Sequence, residues 1–384
     1  MKMSLARWII VTCLMSVPAF AVVTPNPPQL QAKGYVLMDF QSGAIIAEKN
    51  GRGELAPASL TKIMTAYVVG QEINAGRLGW EDIVTVSENA WSEKFPGSSK
   101  MFIKPKDEIS VANLMRGVII QSGNDACVAL AEHVAGSESG FVALMNGWAD
   151  KLGMQDSRFV NSHGLDSEGI QTSPLDMAKL MRALINDVPD VYALYSERVF
   201  TWNNITQYNR NKLLWDNAIN VDGGKTGYTS NAGYSLVSSA TEGKMRLVSV
   251  VMGTSSQQAR ISQSKNLLSY GFRFYDTKKV ATQGEVESKV RVWKGNVNEI
   301  EASLASDAYL TLPRSMTAGL DKSVEFNEPL MAPINQGDEI GKIVWKSNDE
   351  IVASYPLVSN QAVEEASWFG QIWDTIVLWV KSFL

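Results

Sequence analysis

Strand-forming segments bracket a long helical stretch, and this arrangement constrains the fold more than any other feature of the 384-residue chain. Tyr35–Asp39 and Ala44–Glu48 flank Ser42-Gly43 as a hairpin, and Tyr234–Ala240 and Arg246–Met252 flank Glu242-Gly243 as a second pair. Between them, from Leu60 to about Asp187, apolar residues recur at helical spacing, as in 111–120, 126–134, 140–152 and 175–185. Strands at both ends of one unit with helices between them imply a sheet whose first and last strands are neighbours. Another helical run, Gln257–Tyr275, follows. From about Val280 the texture changes to short strand-like segments (290–293, 308–312, 324–326 and 340–345) separated by turn-forming residues, the pattern of a small all-β module. The expected division is 29–279 for the unit of strands and helices and 280–358 for the β-rich module.

Composition narrows the chemistry. With 45% hydrophobic and 20% charged residues the chain is globular, and a net charge of −5 offers no basic excess for a nucleic-acid partner. Two histidines (His133, His163) and two cysteines (Cys13, Cys127) do not readily supply a zinc cage or a histidine-based triad. No metal or cofactor is expected. His133 lies in the Ala-rich run 129–135 and reads as structural, so a hydrolase built on this chain needs a base other than histidine.

Both termini are special. Lys2 and Arg7 precede the apolar run Trp8–Val17 and Ala19-Phe20-Ala21, the pattern of a signal peptide cleaved after residue 21. The run is too short for the roughly 20 residues that cross a bilayer. Thr12, where a lipoprotein signal has a small residue, argues against lipidation at Cys13. Cleavage leaves 33 basic against 40 acidic residues, a net charge of −7, and a single cysteine, hence no internal disulfide. At the other end, 359–365 reads as a polar linker. A helix from Trp368 to Leu384 then gathers Trp368, Phe369, Ile372, Trp373, Ile376 and Trp379 on one side and Gln371, Asp374 and Lys381 on the other. Its two charges favour lying in a membrane interface over spanning it. Docking on the protein's own core is the alternative.

Three short motifs occur in order: Ser59-Leu60-Thr61-Lys62, Ser122-Gly123-Asn124 and Lys225-Thr226-Gly227. Each alone is weak, and Ser262-Gln263-Ser264-Lys265 repeats the first spacing. Context separates them. Ser59 opens a helical run, where backbone N–H groups favour developing negative charge, and Lys62 shares its face one turn on. Burial of that lysine would lower its pKa and make it a base. Ser122-Gly123-Asn124 falls in the break between two helical runs. Lys225–Thr229 reads as an edge strand, in which glycine removes the side chain that would block a substrate lying along it.

This arrangement resembles that of the penicillin-binding proteins and serine β-lactamases, and the chain is most similar to the D-alanyl-D-alanine carboxypeptidases of the low-molecular-mass penicillin-binding proteins. The likeness runs through Pro57–Thr65, Gln121–Ala131, His163–Asp166 and Asn220–Thr229, and into the β-rich module and amphipathic tail. It implies an α/β catalytic domain with an antiparallel sheet between helical layers, removal of the terminal D-alanine from peptidoglycan pentapeptides, and β-lactam antibiotics as covalent inhibitors. It also implies attachment of the tail to the periplasmic face of the cytoplasmic membrane.

By the same resemblance Ser59 is the nucleophile, Lys62 its base and Ser122 the relay to the departing D-alanine. Asn124 bonds the substrate amide, and Lys225 and Thr226 hold the terminal carboxylate beside Gly227, Tyr228 and Thr229. The backbone N–H groups of Ser59 and Tyr228 form the oxyanion hole. Arg260 is a further carboxylate ligand, although Gln257-Gln258-Ala259 departs from the family's usual Gly-Arg-Glu and a solvated helix arginine is the alternative. Tyr228 stands where close relatives often have His, which bears on deacylation rather than reaction class. His163 and Asp166 read as a structural turn, and Cys127 as a buried small hydrophobe. Two other functions stay open: a β-lactamase, against which stands the lack of an E-x-x-L-N element between Asn124 and Lys225, and an idle peptidoglycan-binding scaffold.

Overall fold

Five antiparallel strands in the order β2-β1-β9-β8-β7 divide the catalytic unit into two helical layers. The computed structural model describes residues 24–316, 319–347 and 349–383, so the expected signal peptide and Cys13 lie outside the described residues. Strands β1 (Gly34–Asp39) and β2 (Ile45–Lys49) form the first hairpin. The chain then enters helix α1 (Thr61–Asn74), and β3 (Ile83–Thr85) pairs with β4 (Glu108–Ser110). Helices α2 (Val111–Arg116), α3 (Asn124–Ala135), α4 (Glu138–Lys151), α5 (Pro174–Asp187) and α6 (Pro189–Ala193) follow. A hairpin of β5 (Val199–Trp202) and β6 (Ile205–Tyr208) leads to β7 (Asn220–Thr229), β8 (Gly233–Glu242), β9 (Met245–Thr254) and helix α7 (Gln257–Phe274). As the sequence implies, the first strand pairs with the last: Val36 lies opposite Val250 in β9.

Alternation explains the two layers. Val36 and Met38 of β1 point into the core built with α1, α3 and α5, whereas Tyr35 and Leu37 point into the core under α7. A strand buried on both faces reads as a continuous apolar run, which is how Tyr35-Val36-Leu37-Met38 appears. Helix α1 is buried on every side from Thr61 to Gly70, so it is the central helix and carries no solvent face.

The structure differs from the sequence reading in several places. The run 111–120 is not one helix: α2 ends at Arg116, a π-turn spans Gly117–Gln121, and Ser122 adopts a left-handed conformation at φ 61°. The break aims the following residues inward. The β5–β6 hairpin, short and half exposed, carries too little apolar alternation to be legible. The β-rich module takes up the chain as soon as α7 ends, because β10 (Tyr275–Ala281) pairs along β13 (Ala308–Pro313) in a two-stranded sheet and runs through residue 280.

Strands β11 (Val286–Trp293), β12 (Glu299–Leu304), β13 (Ala308–Pro313), β14 (Leu320–Phe326), β15 (Leu330–Met331), β16 (Glu339–Ser347) and β17 (Glu350–Ser359) complete the module around a separate core of Val292, Ala302, Ile343 and Leu357. The segment 359–365 is not a free linker. Val363 is buried and bridges Ile334, and Asn296 N–H donates to Glu364 O at 2.9 Å. Its polar side chains conceal a backbone that closes the module.

Helix α8 (Trp368–Lys381) rests on the module by its polar side. Asp374 Oδ2 accepts from Lys294 N at 2.5 Å, and Lys381 lies 5.2 Å from the centre of the Trp293 ring. The apolar side faces outward, with Trp368, Phe369, Trp373, Trp379 and Phe383 all exposed. No helix among the described residues is long and apolar enough to cross a membrane.

Candidate active site

The start of α1 sets the first group. Ser59 lies on a 3₁₀ turn, Ala58–Leu60, that runs directly into the helix. Ala58 is forced to φ 49°, and the turn is tightly enclosed. A Cβ on Gly164 would run into Ala58 O, and one on Gly227 would lie 3.0 Å from Pro57 O. The glycine of Lys225-Thr226-Gly227 therefore lets β7 press against the turn that carries Ser59. That differs from the expected clearance for substrate: the space is taken by protein backbone.

Lys62 is completely buried. Its Nζ donates to Ser59 Oγ at 3.2 Å, Asn124 Oδ1 at 2.7 Å and His163 O at 2.6 Å. Burial lowers its pKa to about 8; Cys127 and Asp125 pull it up and Arg210 pushes it down, but desolvation wins. Three acceptors use the three N–H bonds of the charged form, whereas loss of one proton leaves a lone pair for Ser59. His163 contributes its backbone carbonyl, and burial with the nearby Lys62 lowers its imidazole to about 3, so the ring stays neutral at physiological pH.

Ser122 and Asn124 flank the break before α3. Ser122 Oγ accepts from Lys225 Nζ at 2.9 Å, across 103 residues of sequence. Burial lowers the Lys225 pKa well below its ordinary value, and Lys62 and Arg210 add to that. Asn124 is fixed at both ends, its Oδ1 on Lys62 and its Nδ2 donating to Ser98 Oγ at 2.8 Å. Cys127 is buried one turn on, its thiol pushed up to about 12 by burial and donating to Gly123 O.

Ser59, Ser122 and Asn124 line a cleft of about 880 Å³, together with Thr226, Gly227, Tyr228, Thr229, Arg210 and Arg260, while Lys62 and Lys225 are buried behind its serines. Arg260 is buried, not solvated: Nη1 donates to Gly227 O at 3.2 Å, while Nε has no partner among the described residues. Burial brings its pKa down to about 10, so it remains cationic at neutral pH. Tyr228 is half exposed and stacks on Tyr234 with ring centres 4.3 Å apart. Thr229 Oγ1 donates to Asp166 Oδ1 at 2.9 Å, so Asp166 ties its loop to β7.

Arg210 was not legible in the sequence. It follows β6, lines the cleft and donates to Ser99 Oγ at 2.6 Å. Nothing around it forms a motif, and only the β5–β6 hairpin brings it to the site. Two arginines line the cleft, and two buried lysines bond the serines that face it, which suits an anionic ligand.

An antiparallel sheet between helical layers, followed by an all-β module, is the fold of the penicillin-binding serine peptidases. The chain belongs to the D-alanyl-D-alanine carboxypeptidase family, whose description matches residues 21–256, and residues 275–365 match the C-terminal domain of penicillin-binding protein 5. It is 45% identical over 370 residues to the D-alanyl-D-alanine carboxypeptidase DacC of Escherichia coli, covering 95% of this chain and 92% of that protein. The crystal structure of penicillin-binding protein 5 from Haemophilus influenzae superposes with a TM-score of 0.83 at 44% identity, over 89% of this chain and all of the other. Penicillin-binding protein D2 of Listeria monocytogenes, solved in an ampicillin-bound form, matches 65% of this chain and 99% of its own at 28% identity, with a TM-score of 0.58.

Proposed function

We propose that this protein is a serine-type carboxypeptidase that removes the terminal D-alanine from peptidoglycan pentapeptides. The observation that carries the reading is the buried Lys62 Nζ, held 3.2 Å from Ser59 Oγ with its pKa lowered to about 8. Ser59 Oγ attacks the carbonyl carbon of the penultimate D-alanine while neutral Lys62 takes the hydroxyl proton. Backbone N–H groups of Ser59 and Tyr228 hold the oxyanion, and Asn124 bonds the substrate amide through its second N–H. As the peptide bond breaks, the proton taken by Lys62 reaches the leaving amine of D-alanine by way of Ser122, which Lys225 orients. Water then attacks the ester as neutral Lys62 takes its proton, and that proton returns to Ser59 Oγ as the shortened peptide leaves. Arg210, Arg260, Lys225 and Thr226 orient the terminal carboxylate along Gly227 and Thr229.

A β-lactam carries an amide carbonyl and a carboxylate in a similar relation, so Ser59 would be acylated by it in the same way, and the ampicillin-bound form of the Listeria relative supports β-lactam binding here. The test is incubation of the mature protein and its Ser59→Ala variant with fluorescent penicillin, followed by an assay of D-alanine release from a pentapeptide. The wild type is expected to label and release D-alanine, the variant to do neither. An unlabelled wild type rejects the reading. Fast antibiotic turnover without D-alanine release would make it a β-lactamase, and stable labelling without either turnover a scaffold.

The cellular setting belongs to the same reading. Residues 1–21 act as an export signal, the catalytic unit and β module work outside the cytoplasmic membrane, and the exposed apolar side of α8 seats in that membrane's periplasmic face. Apolar burial drives the seating: each large side chain contributes about 1.5–3 kcal/mol, whereas a single lysine contributes about 1 kcal/mol against anionic lipid.

A further inference from the structure

Ser98 and Ser99 line the cleft and open a stretch of irregular chain, Ser98–Ile103, with no strand or helix of its own to hold it. Its backbone N–H groups converge on one side chain. Asp125, fully buried at the start of α3, accepts from Met101 N at 2.8 and 3.0 Å, Phe102 N at 2.9 Å, Ile103 N at 3.4 Å and Ala126 N at 2.9 Å. Burial raises the carboxyl pKa above its ordinary value, and these backbone donors oppose the rise.

Two glycines make the approach possible. A Cβ on Gly123 would lie 2.8 Å from Asp125 Oδ1 and 3.0 Å from Met101 N, and one on Gly117 would collide with Met101 Sδ. The middle residue of Ser122-Gly123-Asn124 is thus small because the Ser98–Ile103 segment lies against it. The segment in turn contacts the site. Ser98 Oγ accepts from Asn124 Nδ2, Ser99 O accepts from Asn124 N at 2.9 Å, and Ser99 Oγ accepts from Arg210.

We propose that Asp125 is a positioning residue: through the Ser98–Ile103 backbone it sets the amide of Asn124 and the guanidinium of Arg210 for substrate, without touching substrate itself. The inference rests on the acyl-enzyme reading above, and it separates two kinds of acylation. A penicillin needs its amide and carboxylate held, whereas a small fluorophosphonate needs only an activated Ser59.

The experiment measures both rates on the full chain. Asp125→Asn keeps the shape but turns one acceptor into a donor aimed at N–H groups. Penicillin acylation is expected to fall about 10–100-fold, in the effective half-saturation concentration more than in the maximal rate, while phosphonylation changes less than about threefold. Gly123→Ala is expected to reproduce the split. Asp125→Glu, which retains the charge, is expected to recover part of the loss. Equal rates in variant and wild type, or a parallel fall of both probes, overturns the proposal. Amide exchange on the wild type needs no variant: Met101 and Phe102 N–H are expected to be protected about 100-fold or more relative to free loop amides, and exchange at free-loop rates would also overturn it. A wild type that no penicillin labels defeats the acyl-enzyme reading instead.

Discussion

Lysine at position 62, the proposed base, is suited to that role only because the protein keeps water from it. The ordinary ammonium is protonated far above neutrality, and complete burial beneath Ser59 is the largest influence bringing its pKa to about 8. The sign of the pH dependence follows. Below about pH 8 the charged form dominates and accepts no proton, so penicillin acylation should rise with pH and level off above that value. His163, neutral down to about 3, should add no step near its ordinary range. Lys62→Arg, which cannot lose its proton at these pH values, is expected to acylate about 10²–10⁴-fold more slowly and to lose the rising limb. Single-turnover labelling from pH 6 to 10 checks both points, and a flat wild-type profile would contradict the assignment of Lys62 as base.

Helix α8 is attached to the β module but buries none of its large aromatic side chains there. Its polar stripe is docked and its apolar stripe is free, so the helix is mounted on the module at a fixed angle instead of trailing from it. Asp374 is the principal fastening, since it accepts from Lys294 N and lies 3.5 Å from Arg291 Nη2. Asp374→Ala leaves that backbone donor without its acceptor, which costs about 1–3 kcal/mol when the donor stays buried. The expected result is faster amide exchange along α8 with membrane partitioning retained. Removal of 368–384 should abolish partitioning into liposomes. Unchanged exchange in Asp374→Ala would show that other contacts hold the helix, and membrane retention by the truncated chain would defeat the anchor.

At the scale of the whole molecule, the catalytic unit and the β module bury separate cores. The catalytic cores draw on residues from Leu30 to Phe272, and the module's core on Ala281 to Val363. Polar pairs join the two, among them Thr277 Oγ1 to Asp39 Oδ2 at 2.7 Å and Ser42 with Thr311 at 2.6 Å. The cleft is lined wholly from the catalytic unit. A chain ending at Phe274 is therefore expected to fold and to label with penicillin at a rate within about threefold of the full protein, as for sites that do not couple. A loss beyond about tenfold would mean that the module braces the cleft.

The sequence by itself determined the chemistry and the outline of the fold. Ser59 and Lys62 are legible because a one-turn spacing on a helix places both on one face; α3, α5 and α7 are legible because one-sided core burial imposes a 3.6-residue period, and α1 because full burial makes 63–69 an almost unbroken apolar run. The sheet's closure followed from strands at both ends of one unit. Tertiary structure alone decided where distant residues meet. Arg210 enters the cleft because a hairpin carries it there, Asp125 gathers N–H groups more than twenty residues upstream, and Gly227 and Gly164 clear space for the turn beneath Ser59. Those roles depend on approach between segments remote in sequence, and no local period or spacing records such an approach.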